Sequence, residues 1–165
     1  MTLHAVQQYL KYRRKARGRH GTHSPFVYSF IENVLNDGKQ IESLVEFPGL
    51  PGRYVLLLNK VLVYYGLRET KHLKVPDDVP GSFDALVLLA DEPENWEAIS
   101  NKYFPGLEND NVVFVMDIHK TVSHTLSWNH LCDHPKVRMS FDLYKTGILF
   151  FKKEFKEKQH FVLKY

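Results

Sequence analysis

Two apolar runs that each close on an acid, FDALVLLAD at 83–91 and NVVFVMDIH at 111–119, bracket the helical stretch ENWEAISNKYF at 94–104. Runs this short and this apolar read as strands buried on both faces of a sheet. A helix between them makes a βαβ unit, so the two strands run parallel with helices covering the sheet. In open sheets of this kind functional side chains gather beyond the carboxyl ends of the strands. Asp91, Asp117 and His119 stand at those ends and are candidate site residues.

The rest of the chain is arranged around that unit. Leu3, Val6, Gln7, Leu10 and Arg14 recur at helical spacing, which predicts an amphipathic helix over 3–17 that stops near Gly18. Ser24 followed by Pro25 fits an N-cap with proline in the first turn, and Phe26, Phe30, Ile31 and Val34 continue the helical interval. That helix is expected to end at Asn36-Asp37-Gly38, with Gly38 as a left-handed cap. EFPGLPGR at 46–53 is a turn-rich break, and YVLLLNKVLVYYGL reads as a mostly buried helix ending at Gly66. SHTLSWNHLCDHP reads as a further helix, with Trp96 and Trp128 expected to pack on the sheet. The alternating, aromatic segments VRMSFDLYKTGILFF and KQHFVLKY predict antiparallel strands, the first two joined at Lys145-Thr146-Gly147. With 165 residues, 44% of them hydrophobic, the chain suits a single domain: an N-terminal helical segment over 1–38 and an α/β core over 53–165.

Lys11, Arg13, Arg14, Lys15, Arg17 and Arg19 crowd one short segment with no acid among them, although the net charge is only +3. Such a cluster is either a solvated helix face or a patch for an anionic partner, phosphates on nucleic acid or on lipid headgroups. Cys132 is the single cysteine, so no internal disulfide can form and a reducing, cytoplasmic setting is expected. The N-terminus carries charge where a secretory leader has its apolar run, and no apolar run reaches the ~20 residues a membrane helix needs. In HGTHSPFVYSF, His20 and His23 stand three apart just before the Ser-Pro start, a spacing that suits half of a metal site. Zinc needs three or four ligands, and hydrogen-bonding or packing roles for the pair are the simpler reading. His119 and His124, with His130 and His134 farther along the helix, outline a histidine-lined pocket on the same weak footing.

RRKARGRHGTHSPFVYSFIENVL at the front, and VVFVMDIHKTVSHTLSWNHLCDHPKVRMSFDLYKTGILFFKK with KQHFVLKY at the back, resemble the two ends of a bacterial class I S-adenosylmethionine-dependent methyltransferase-like family. The resemblance implies a Rossmann-like sheet finished by an antiparallel pair. It covers roughly the first 35 residues and everything from about Phe83 onward. Between Gly66 and Phe83 there is no room for the strands that would hold the cofactor, since each βαβ unit needs about 30 residues. A single strand around KHLKV is the most that fits, and no Gly-x-Gly-x-Gly loop occurs. Asp91 and Asp117 fall where metal-assisted relatives carry paired acids, but DEPEN and Met116 leave one acid per strand. A hard cation needs several oxygens, so those acids are expected instead to cap helices or lie at solvated strand ends.

The resemblance therefore implies a truncated, Rossmann-like methyltransferase sheet of parallel strands plus a C-terminal antiparallel pair. Its function is expected to be that of a degenerate, catalytically silent binding or oligomeric module with no cofactor. Loss of one side of the sheet should leave an apolar edge strand, which predicts self-association as a homodimer. The competing expectations are a methyltransferase using S-adenosylmethionine in a rebuilt site, and a polyanion-binding protein acting through the basic N-terminal segment.

Overall fold

The computed structural model describes residues 2–18, 23–42, 44–47, 49–76, 81–89 and 91–165. Arg19 and His20 lie outside the described residues. In chain order the elements are α1 (Leu3–Lys15), α2 (Pro25–Phe30) running into a π-helical turn (Ile31–Leu35), α3 (Gly52–Tyr65), β1 (Thr70–Leu73), β2 (Ala85–Leu88), α4 (Asn95–Tyr103), β3 (Val112–Met116), α5 (Val122–Asp133), β4 (Met139–Asp142), β5 (Thr146–Phe150) and β6 (Gln159–Val162).

The βαβ unit forms as expected: β2 and β3 pair in parallel around α4, and the strand at KHLKV is β1, parallel to β2. The six-stranded sheet has the order β1-β2-β3-β5-β4-β6. Because β5 is antiparallel to both β3 and β4, while β4 and β6 pair in parallel, β5 alone runs against the others. β4 and β5 are the expected hairpin. The expected antiparallel course of the last strand is not found. β5 ends beside the start of β4, so the short connection 151–158 returns the chain at that same edge, and β6 must run alongside β4.

Alternation along the strands sorts the core into two layers. Ala85, Val87, Phe114, Met116, Phe141 and Ile148 share one cluster with Phe30, Val34, Leu57, Leu58 and Val61 from α2, the π turn and α3. Leu86, Leu88, Val113, Val115 and Leu149 share the other with Trp96, Ile99, Trp128 and Leu131 from α4 and α5. Both tryptophans pack against the sheet as expected. Ser24 caps α2 by accepting the Val27 N–H, and Gly66 closes α3 at φ 67°. Gly38 is not a left-handed cap. The Asn36 N–H donates to Ile31 O at 2.8 Å and ends the helix there in a wide turn, so no left-handed residue is needed.

β1 is the outer strand on one side, but it is not the apolar edge expected. It is four residues long, TKHL, and only Leu73 is buried. Short, polar strands are how sheets blunt an edge. Where β1 meets β2, the Asp84 carboxylate accepts the N–H groups of Arg68 (2.7 Å) and Glu69 (2.9 Å), which hold its carboxyl below the usual range. A folded-state value below the unfolded one gives stability that is complete above the ordinary Asp value near 4 and is lost as pH falls through the folded value. Thermal denaturation from pH 7 down to 2 should therefore show a shallower acid decline for Asp84→Asn than for the parent chain. Equal slopes would exclude the linkage.

α1 lies on neither face. It runs along the carboxyl edge of the sheet, tied by Thr2 Oγ1 to Lys120 O (3.2 Å), Tyr144 Oη to Ala5 O (2.9 Å) and Tyr12 Oη to Leu163 O (2.6 Å). Beyond it, the Arg17 N–H donates to Val162 O (2.9 Å) and the Lys164 N–H to Arg17 O (3.0 Å), a single parallel bridge outside β6. The expected apolar stripe is not the seated face. Leu3, Val6 and Leu10 are 75%, 39% and 58% exposed, and the buried side chains are Ala5 and Tyr12. A helix on a sheet edge meets backbone carbonyls and turn residues, for which tyrosine hydroxyls are better partners than leucines. Among the described residues no helix is long and apolar enough to cross a membrane.

Candidate functional site

The carboxyl ends of β3, β4 and β6 and the turn that opens β5 lie along one edge, and α1 roofs it. Between them is a cavity of about 950 Å³, lined from above by Lys11, Tyr12, Arg14, Lys15 and Arg17 and from below by His119, Asp142 and His160, with Thr125, Trp128 and Asn129 of α5 on its side. The topology places these residues together. His119 follows β3, Asp142 ends β4, His160 sits in β6, and the Arg17 bridge holds the basic end of α1 over them.

At its floor His119 Nε2 lies 2.7 Å from Asp142 Oδ2, and His119 Nδ1 lies 3.2 Å from Thr125 Oγ1. His4 Nε2 approaches the same Thr125 oxygen at 3.0 Å. An ionised carboxylate can only accept, which assigns the His119 proton to Nε2 and leaves Nδ1 as an acceptor facing Thr125. The other Asp142 oxygen accepts the Tyr144 N–H at 2.8 Å. His119 and Asp142 are 8% and 6% exposed, so the pair is held in a low-dielectric wall rather than in open water. Next to them Ser140 Oγ and His160 Nδ1 are 2.7 Å apart. Burial, first of all, pushes the His160 pKa down, as do the charges of His119 and Lys15, against the opposing pull of Asp142.

Two backbone outliers flank this floor. Asp117 and Tyr144 are non-glycine residues with φ of 53° and 68°, a left-handed conformation that costs about 1–2 kcal/mol each. Asp117 is held there by its N–H to Lys145 O (2.7 Å) and by Lys145 Nζ on its Oδ1 (3.1 Å). The turns either side of His119 and Asp142 are thus over-determined by local hydrogen bonds and fix the two side chains.

The basic segment divides. Lys11, Arg14, Lys15 and Arg17 line the cavity, and none of them is in an ion pair with a carboxylate among the described residues. Arg13 instead lies over the Tyr9 ring at 6.0 Å and is not part of the lining. Of the other predicted site residues that are described, only His119 joins the cavity. Asp91 is an exposed strand-end acid paired with Lys74 at 3.3 Å, and Asp117 is occupied by Lys145. Neither caps a helix, the N-caps of α4 and α5 being Glu94 and Thr121. His23 is exposed near the start of β6, at the opposite edge of the sheet.

The histidines after β3 do not make one pocket. His124 is buried against Trp96 and bonded to Thr121 Oγ1 (2.8 Å), His130 faces Glu97 at 3.9 Å, and His134 stacks edge-on to Phe104. No group of three or more metal-ligating side chains occurs among the described residues. Burial pushes the Cys132 thiol up to about 12, so it stays protonated and inert.

Asp142, Thr125, His160, Trp128 and His4 were not singled out as site residues from the sequence. Asp142 sits inside an alternating strand where an acid reads as a solvent-facing position, and the signal that it faces the helices is only its phase with Ser140. Comparisons of this chain with protein-family models, curated proteins and solved structures return no match.

Proposed function

We infer that the chain is a binding module on a shortened methyltransferase-like core, and that the cleft under α1 takes an anionic ligand. One observation carries this reading: Lys11, Arg14, Lys15 and Arg17 line a cavity whose only acid among the described residues, Asp142, is already engaged by His119 and the Tyr144 N–H. Unneutralised cations around a concave, partly low-dielectric site attract phosphate- or carboxylate-bearing molecules. The parallel β1-β2-β3 arrangement closed by the β4–β5 hairpin supports the methyltransferase-like ancestry. Methyl transfer itself is not part of the reading, since no glycine-rich loop is present in the sequence. Self-association is not part of it either, because β1 offers a polar edge.

Titration calorimetry with tripolyphosphate tests the proposal. Affinity should fall steeply with salt, and Arg17→Glu or Lys15→Glu should each weaken it about tenfold, close to 1.4 kcal/mol. Arg13→Glu, outside the cavity, should leave it within about twofold. Salt-independent binding, or an equal loss at Arg13, would refute the cleft as the anion site.

A further inference from the structure

We propose that the cleft hydrolyses esters of anionic acids, with Thr125 as nucleophile, His119 as general base and Asp142 as the positioning residue. The inference rests on the anion-binding reading above for its substrate class, but its chemistry stands on separate geometry. Asp142 Oδ2, His119 and Thr125 Oγ1 form one chain of contacts at 2.7 and 3.2 Å, all three residues line the cavity, and the assigned tautomer points a lone pair of His119 at the Thr125 hydroxyl. A hydroxyl within reach of an imidazole that a buried carboxylate orients is the arrangement of covalent acyl transfer, recognised by geometry rather than by order in the chain. The Thr121 carbonyl, 3.3 Å from Thr125 Oγ1, is the competing acceptor within the helix, and the hydroxyl rotates between the two. His4 Nε2 lies 3.0 Å from the nucleophile, and with its proton on that nitrogen it would offer a hydrogen bond to the oxygen charge that develops beside Thr125.

The reaction balances without a further reagent. Thr125 Oγ1 attacks the ester carbonyl carbon while its proton passes to His119 Nδ1. The bond to the leaving oxygen breaks, that oxygen takes the proton from Nδ1 and departs as an alcohol, and the acyl group remains on Oγ1. Water then gives a proton to Nδ1 and attacks the same carbon. The Oγ1–carbon bond breaks, Oγ1 recovers its proton from His119, and the acid is released. Lys11, Arg14, Lys15 and Arg17 hold the anionic end of the acyl group, so remote binding places the carbonyl over Thr125.

The test uses the full chain with p-nitrophenyl succinate, an anionic ester, and p-nitrophenyl butyrate, a neutral one. The succinate ester should turn over at least about tenfold faster, and acid quenching should trap one succinyl group on the peptide that contains Thr125. Thr125→Val should lower the rate at least about a hundredfold and abolish the adduct, while Thr125→Ser retains both. Asp142→Asn should slow turnover by a similar factor and displace its pH profile, which a purely structural contact would not do. The adduct is read on the unmodified protein, so a variant that fails to fold does not decide the matter. Tripolyphosphate binding without turnover, or an adduct elsewhere, overturns the hydrolytic inference and leaves the anion reading intact. A Thr125 adduct with equal rates for both esters and no effect of Arg17→Glu supports the chemistry and refutes the anion reading.

Discussion

Trp128→Ala should lower the unfolding free energy by about 4 kcal/mol, the range for deleting a fully buried indole from a core. The ring is 1% exposed and lies across the sheet at Gly147, where a Cβ would stand 2.4 Å from two of its atoms and 2.9 Å from a third. Glycine at 147 is therefore a requirement of close approach, and Gly147→Ala must displace the ring, at about 1–3 kcal/mol. Trp128→Phe should be far milder than alanine. The indole Nε1 is buried without a hydrogen-bond partner among the described residues, so phenylalanine keeps most of the packing and removes an unsatisfied donor. Urea denaturation of the three variants checks the order Trp128→Ala, Gly147→Ala, Trp128→Phe. An alanine effect below about 1 kcal/mol would mean that the ring is not the keystone of this layer.

Asn59→Leu is the second large effect, a loss of about 3 kcal/mol from a substitution that adds apolar bulk to an apolar helix. Asn59 is fully buried in α3 and fastens the segment before it. Its Oδ1 accepts the N–H groups of Leu44 (2.8 Å) and Val45 (2.9 Å), and its Nδ2 donates to Val45 O and Val55 O, both at 2.9 Å. Leucine removes the carboxamide to which the Leu44 and Val45 backbone is bonded, at about 1–3 kcal/mol for each buried hydrogen bond lost. Through that segment the loss extends to β1, because Glu46 O contacts His72 Nε2 at 2.9 Å and Phe47 packs on the same ring. Hydrogen exchange should show β1 losing protection in Asn59→Leu while β3 and β5 keep theirs. Unchanged stability by chemical denaturation would show that the network is dispensable.

Much of the fold was legible because its central strands are buried on both faces and so leave continuous apolar runs. Ala85–Leu88 and Val112–Met116 could hardly be anything else, and Ser24-Pro25 and Gly66 carry capping chemistry that does not depend on distant contacts. What could not be read was settled by distant contacts. The leucine stripe of α1 has the right period for a buried face, yet the helix was claimed by Tyr144 and the Leu163 carbonyl, more than a hundred residues away. β6 reads as antiparallel from its own residues, and only the position where β5 ends turns it around.

The site divides in the same way. His119 and the basic segment were visible, each as an isolated feature of uncertain purpose. Their meeting was not, because it depends on Arg17 pairing beside β6 and on Asp142 facing the helices instead of solvent. Asp91 and Asp117 stood out by position after a strand, but nearby lysines neutralise both. A charge at a strand's carboxyl end is informative only if nothing local already satisfies it.

The bridge between Arg17 and Leu163 has a further consequence for how the cleft comes into being and how it moves. It closes a loop of nearly the whole chain, and the entropy of such a closure must be met before the contact gives anything back. α1 carries little buried apolar area of its own, so it adheres through a few tyrosine hydroxyls and this one backbone clasp. Such an element belongs to the least stable cooperative unit of a domain and can lift away while the sheet stays folded. The roof of the cleft is therefore the last part to assemble and the first to open, and a ligand that bridges its cations to the floor would act as the missing adhesive between the two ends of the chain.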